Sequence, residues 1–301
     1  MPSKINIKEI QPLRDLKCSS STIFQGNVLD VLRRMPSASI QAVVTSPPYW
    51  GVRDYGIDGQ IGLEPTLEQY MNKLVSIFAE IKRVLKDNGV LWLNIGDSYT
   101  SGNRGYRAYD KKNPAREMAS GRPNTPAGLK RKDLIGIPWK LAFALQSDGW
   151  YLRSDIIWHK PNAMPESVKD RPVRSHEYIF MLSKSEKYYY DYTAVLEPGV
   201  TTEKRRMRSV WSINTSPFPG EHFATFPISL ISPCILSATK ENDFVLDPFF
   251  GSGTLGLVCN DNARNFIGVE LNPEYVKIAA NRLNINKKSI QKIKTETGKA
   301  K

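Results

Sequence analysis

Two short stretches of this 301-residue chain carry side chains whose types and spacing point to chemistry. The first is Ser46-Pro47-Pro48-Tyr49, directly after the apolar run IQAVVT. Proline has no amide hydrogen and a fixed φ, so a strand must end there and the backbone beyond it is held extended. Such a corner offers a flat polar ring three things: the Ser46 hydroxyl, the Pro47 carbonyl and the face of Tyr49. Trp50 is then either a second wall or part of the core.

The second stretch is Asp247-Pro248-Phe249-Phe250-Gly251-Ser252-Gly253-Thr254, continuing to Gly256. Glycines at 251, 253 and 256 make a GxGxxG after an apolar run, and an acid follows at Glu270, at the end of another. Taken by itself this is the dinucleotide fingerprint and suggests an NAD-linked oxidoreductase. The physics commits to less. Glycines permit a tight turn and close approach of a ligand to the backbone, and the later carboxylate accepts from a ribose diol. Any adenosine-bearing cofactor needs both. Asp247 ahead of the turn repels a pyrophosphate and favours a cationic or amino-bearing ligand.

Elements able to position these groups are legible. Apolar segments at 22–26, 40–46, 89–97, 153–160, 176–184, 243–249 and 265–271 read as buried strands. Helical spacing runs through 67–85, with a stop at Asp87-Asn88-Gly89, and recurs over 136–149 and 273–283. Alternation of the two predicts an α/β fold with a mainly parallel sheet covered on both faces.

Charge is concentrated. The chain carries +12 overall, and residues 98–132 alone hold nine Lys or Arg against two acids, with three tyrosines interleaved. Residues 284–301 add six Lys against one Glu, which leaves the remainder formally neutral. A balanced body with basic extremities suits a polyanionic partner. Three distant cysteines (Cys18, Cys234, Cys259) without a CxxC pair argue against a disulfide scaffold or a zinc site, and no metal is expected. No apolar run approaches the roughly 20 residues of a membrane span, and the charged N-terminus lacks a signal block, so a cytoplasmic location is expected.

Together, SPPY at 46–49 and DPFFGSGT at 247–254 resemble the S-adenosylmethionine-dependent DNA amino-methyltransferases, which methylate the exocyclic nitrogen of cytosine or adenine. The proline motif comes first and the glycine motif 201 residues later, an order similar to the permuted beta group and unlike that usual in protein-glutamine methyltransferases. GDSY, SDIIWHKPN, HEYIFMLSKS and HFATFP fall where lesser motifs are expected, so the resemblance spans about residues 22–283. It implies a doubly wound, mostly parallel sheet of the class I S-adenosylmethionine-dependent methyltransferase type with circularly permuted motifs. An N-terminal extension (1–21) and a basic tail (284–301) flank this catalytic domain.

Residue by residue, the resemblance assigns Ser46, Pro47, Pro48 and Tyr49 to catalysis, and Asp247, Phe249, Gly251, Gly253 and Thr254 to the cofactor. Glu270 would hold the ribose hydroxyls, Asn27 and Asp30 would lie near the adenine, and Phe226 would close the pocket. Serine at position 46 is the usual residue of the cytosine-N4 branch, whereas aspartate is typical of adenine-N6 enzymes, which remain the alternative. Methylation of cytosine carbon needs a Pro-Cys-Gln nucleophile. The only Pro-Cys here is Pro233-Cys234, in a helical context. DNA contacts are expected from the basic loop 98–132 (Arg104, Arg107) or from 197–221 (Arg205, Arg206, Arg208). The expected partners are double-stranded DNA, a cognate restriction endonuclease and a second copy of the chain.

Overall fold

The central strands carry apolar side chains on both faces, and burying both faces dictates the architecture. A computed structural model of the chain describes residues 20–101, 123–199, 201–216, 226–285 and 289–293. The strands are β1 (Thr22–Gln25), β2 (Ile40–Thr45), β3 (Leu85–Ile95), β4 (Tyr151–His159), β5 (His176–Ser183), β6 (Glu197–Pro198), β7 (Lys204–Arg205), β8 (Val210–Ser212), β9 (Phe244–Asp247), β10 (Asn265–Glu270) and β11 (Ile290–Lys292). The helices are α1 (Val28–Arg34), α2 (Leu67–Val84), α3 (Ile137–Ser147), α4 (Ile228–Ala238), α5 (Thr254–Asp261) and α6 (Pro273–Arg282).

Nine strands form one sheet in the order β11-β1-β10-β9-β2-β3-β5-β4-β8, while β6 and β7 pair separately. In the large sheet only β5 runs antiparallel to its neighbours, β3 and β4. The carboxyl ends of β10, β9, β2, β3 and β4 and the head of β5 therefore share one edge. Along β3, Leu91, Leu93 and Ile95 enter the core beneath α1, α2 and α3, while Val90 and Trp92 enter the one beneath α4, α5 and α6. Helix α2 begins at a capping box: Gln69 N–H donates to Thr66 Oγ1 and the Gln69 side chain accepts from Thr66 N–H, both at 3.2 Å. It buries Tyr70, Leu74, Ile77, Phe78 and Ile81.

All seven strands and three helices read from sequence are present, their ends within about two residues of the reading except that β3 starts at Leu85 rather than Gly89. Helix α2 ends at Val84, so Asp87-Asn88-Gly89 lies inside β3 rather than stopping a helix. A Cβ at Gly89 would lie 2.9 Å from the Gln41 carbonyl oxygen, so the glycine serves a close strand approach where the β2–β3 register shifts. The sheet also extends past residue 283: β11, within the basic tail, pairs parallel with β1. Among the described residues no helix is long and apolar enough to cross a membrane.

Candidate active site

The two motifs meet because β9 lies between β10 and β2, with Val43 in register with Leu246. At the ends of those strands the Thr45 hydroxyl donates to Asp247 Oδ1 at 2.7 Å, across 202 positions of sequence. The Phe249 amide donates to the same oxygen at 3.0 Å. Asp247 is buried, and that burial pushes its carboxyl up to about 7 despite the two donors, with the Glu270 charge acting in the same direction.

The glycine turn divides its work among its residues. Gly251 adopts φ +51° and nothing lies within 4 Å of the position its Cβ would occupy. Its amide donates to Glu270 Oε2 at 2.8 Å, and the Asn272 amide donates to Oε1 at 2.7 Å. Burial carries Glu270 up to about 7 against those donors. Gly253 precedes α5 at φ +81°, and a Cβ there would meet Leu283 at 3.0 Å and Ala279 at 3.1 Å, so its role is packing. Arg282, at the end of α6, donates to the Ser252 and Thr254 hydroxyls at 3.0 Å each and braces the turn from behind. Phe249 and Phe250 both line the cleft, and Phe250 is otherwise buried and stacked on Phe266.

At the proline corner the Tyr70 hydroxyl donates to the Pro48 carbonyl at 2.9 Å. Among the described residues no hydrogen bond reaches the Pro47 carbonyl. The Tyr49 phenol donates to Glu177 Oε2 at 2.7 Å, and the Ser46 hydroxyl points to the Tyr49 oxygen at 3.4 Å. Asn94 Nδ2 donates to Glu177 Oε2 at 3.2 Å, and Lys160 pairs with the other carboxylate oxygen. Burial first, then the Glu177 charge, holds the Tyr49 phenol well above its ordinary value, so it stays protonated. Glu177, Asn94 and Lys160 had no role in the sequence reading. The available signal was an acid at the head of the otherwise apolar β5. Trp50 is core: it is buried, and its indole donates to the Glu64 carbonyl at 2.8 Å. Asp97 is taken up locally, accepting from the amides of Gly136 and Ile137 at the start of α3.

One cleft of about 940 Å³ joins both halves. Ser46, Pro47, Pro48, Tyr49, Asn27, Phe226, Asp247, Phe249, Gly251, Thr254 and Glu270 all line it. Gly253 and Asp30 do not; Asp30 sits in the first turn of α1, whose cap is Asn27. Arg205, Arg206 and Arg208 lie away from the cleft: Arg205 pairs with Glu197 at 2.8 Å, Arg206 sits 4.5 Å over the Tyr192 ring, and Arg208 is exposed. Arg104 and Arg107 lie outside the described residues. Cys234 is buried in α4 and does not reach the cleft.

The family model described as DNA methylase, of the N6/N4 class, matches residues 40–281. The type II methyltransferase M.Cfr9I of Citrobacter freundii is 65% identical over 288 residues, which is 94% of this chain and 96% of that protein. The solved PvuII DNA methyltransferase, titled cytosine-N4-specific, superposes with a TM-score of 0.66 at 23% identity, covering 89% of this chain and 88% of its own. A DNA modification methylase of Thermus thermophilus, titled as a complex with S-adenosyl-L-methionine, superposes at 0.62 with 23% identity, covering 92% of this chain and 99% of its own. These matches set aside the oxidoreductase reading of the glycine turn. The chain belongs to the N6/N4 DNA methylases, as a type II DNA methyltransferase whose cofactor is S-adenosylmethionine.

Proposed function

We propose that this enzyme methylates the exocyclic N4 of a cytosine flipped out of double-stranded DNA, as the modification partner of a restriction endonuclease acting on the same site. The observation that carries the reading is the Thr45–Asp247 contact, which sets the proline corner and the glycine turn in one cleft. Cytosine is favoured by serine at position 46, the usual residue of N4 enzymes, and by likeness to a protein titled cytosine-N4-specific.

The cofactor half fits its ligand. Open space at Gly251 admits a group against the backbone, and a buried and a half-buried carboxylate, both pushed up to about 7, suit a cationic ligand bearing a diol. Bound there, S-adenosylmethionine supplies an electrophilic methyl group on a sulfonium. Glu270, fixed by two backbone amides, accepts from the ribose hydroxyls. Asp247, Phe249, Gly251 and Thr254 would hold the methionine and ribose part, Asn27 would lie near the adenine and Phe226 would close the pocket; all six line the cleft.

At the other end the target base must leave the duplex, at a cost of a few kcal/mol. Stacking on Tyr49 offsets about 1–3 kcal/mol of that. With the Pro48 oxygen held by Tyr70, the Pro47 carbonyl is the main-chain acceptor left for the amino group. The proton of Tyr49 is committed to Glu177, so the phenol oxygen receives Ser46 and the serine's lone pairs turn toward the cleft. Two fixed acceptors draw the amino hydrogens, turn the nitrogen lone pair out of conjugation and stabilise positive charge growing on nitrogen. No covalent nucleophile takes part.

Nucleoside mass spectrometry of DNA treated with the enzyme and the methyl donor tests this. N4-methylcytosine is the expected product. N6-methyladenine in its place overturns the choice of base while leaving the chemistry of the corner intact.

A further inference from the structure

Two arginines of the segment joining β4 to β5 lie over one aromatic ring. The Arg171 guanidinium stands 3.8 Å from the centre of the Tyr99 ring, and that of Arg174 stands 5.1 Å from it. The two differ in charge balance. Arg171 has an acid, Glu166, at 2.6 Å, whereas among the described residues Arg174 has none. Its hydrogen bond there goes from Nη1 to a neutral acceptor, the Asp97 carbonyl. Two acids that line the cleft with Arg174 are already taken up. The Asp97 carboxylate accepts from the amides of Gly136 and Ile137, and Glu177 accepts from Tyr49, Asn94 and Lys160. Burial first, then the Arg174 charge, holds the His176 imidazole below its ordinary value, although Glu177 acts the other way.

The position of this guanidinium follows from what holds it. Asp97 directly follows Gly96, whose Cβ would stand 2.8 Å from Tyr49 Cε2. Glu177, just past Arg174 at the head of β5, receives the Tyr49 phenol. Arg174 therefore stands beside the proline corner, and β3 and β2 separate β5 from the glycine turn after β9. A cation held by a carbonyl and a ring face, with most of its planar donor fork unspent, is preorganised for an anion. Guanidinium donors match phosphate oxygens in pairs. A nucleotide everted into the corner brings the phosphates on either side of it to this part of the cleft.

We propose that Arg174 binds a backbone phosphate next to the everted nucleotide and so holds the flipped strand at the proline corner. The proposal rests on the base-flipping reading above. It adds a contact outside both stretches, 98–132 and 197–221, from which DNA binding was expected.

The test uses duplexes containing the methylation site, mapped by sequencing DNA from a host that expresses the enzyme. Arg174→Ala should make the dependence of log K on log salt shallower by about 0.9, and Arg174→Lys should keep the wild-type slope. Methylphosphonate, which removes the charge of a single phosphate, is then placed in turn at each position flanking the target. One position should weaken wild-type binding about 10- to 100-fold and leave Arg174→Ala unaffected. Calorimetric binding of S-adenosylmethionine should be unchanged in both variants. An unchanged salt slope in Arg174→Ala, or equal losses in wild type and variant at every position, overturns the contact. Weaker cofactor binding in Arg174→Ala assigns the guanidinium to the cofactor carboxylate and overturns it too. Fluorescence of 2-aminopurine at the target position tells these failures from that of the underlying reading. No gain with wild-type enzyme removes base flipping and the proposal with it. A gain without any arginine-dependent phosphate removes the contact alone.

Discussion

The phenol of Tyr49 donates to Glu177 at 2.7 Å, binding the end of β2 to the head of β5 across 128 positions of sequence. A hydrogen bond to a charged group contributes about 1.5–3 kcal/mol, or roughly 10- to 100-fold in rate where it sustains the transition state. Tyr49→Phe and Glu177→Gln are each expected to slow single-turnover methylation by about that factor with cofactor affinity unchanged. The double variant should be no slower than the worse single. Losses that multiply in a double-mutant cycle mean that Glu177 acts other than through Tyr49.

Removing the ring of Tyr49 altogether goes further. Tyr49→Ala is expected to bind S-adenosylmethionine as the wild type does and to lose most turnover, since about 1–3 kcal/mol of base stacking disappears with the ring. Normal turnover in this variant would remove the stacking role.

Gly96 forms the floor beneath that ring. A Cβ at this position would stand 2.8 Å from Tyr49 Cε2 and 3.3 Å from Glu177 Cδ. Overpacking of this kind costs about 1–3 kcal/mol. Gly96→Ala should therefore lower kcat about 5- to 150-fold, with the calorimetric Kd for the cofactor held within about twofold. An unaltered kcat would show that the ring has freedom to move aside.

The raised carboxyls of Asp247 and Glu270 predict a pH dependence with a definite sign. Both titrate near 7 in the fold and near 4 in the unfolded chain, so the folded apoprotein binds more protons between those values. Their stabilising effect is complete below about pH 4 and is lost as pH rises through about 7. A cationic ligand bearing a diol favours the ionised carboxylates, so cofactor binding should release protons and tighten as pH rises from 6 to 8. Calorimetry in buffers of different ionisation enthalpy measures that release. Glu270→Gln should diminish it, and an equal release in the variant would assign the protons elsewhere.

The three arginines of 205–208 separate by their surroundings. Arg205 is occupied by Glu197, while Arg206 and Arg208 are exposed. If the exposed pair meets phosphates, Arg206→Ala and Arg208→Ala should each reduce the salt slope of DNA binding by about 0.9, without altering sequence preference. Arg205→Ala should leave the slope unchanged. A change of preferred sequence in either exposed variant would instead indicate base contact.

Much of the scaffold was legible because a strand buried on both faces must be mostly apolar, as β2 and β9 are, and a helix on such a sheet must repeat its apolar residues as α2 does. The edge strand β11 escaped notice, because Ile290–Lys292 is short and its lysine-rich surroundings resemble a solvated tail. The stop expected at Asp87-Asn88-Gly89 was misplaced for a related reason: turn-forming residues also suit an irregular strand entry, and nothing local distinguishes the two. Within the site, Ser46, Tyr49, Asp247 and Glu270 stood out because each belongs to a compact local pattern. Glu177 and Lys160 lie within lesser motifs that by themselves assign no role, Asn94 and Arg282 lie in none, and the partners of all four are on other elements.

The sequence by itself determined the identities of the reacting groups and the local backbone shapes that present them: a diproline corner, a glycine turn and an acid at a strand end. These follow from φ restriction and side-chain chemistry within a few residues. Only the tertiary structure decided that Thr45 and Asp247 touch, that Tyr49 is tied to Glu177, and that Trp50 is core. The reason is that strand order and register are set by packing of the whole sheet. Neighbours hundreds of positions apart become contacts only once both of its faces are buried.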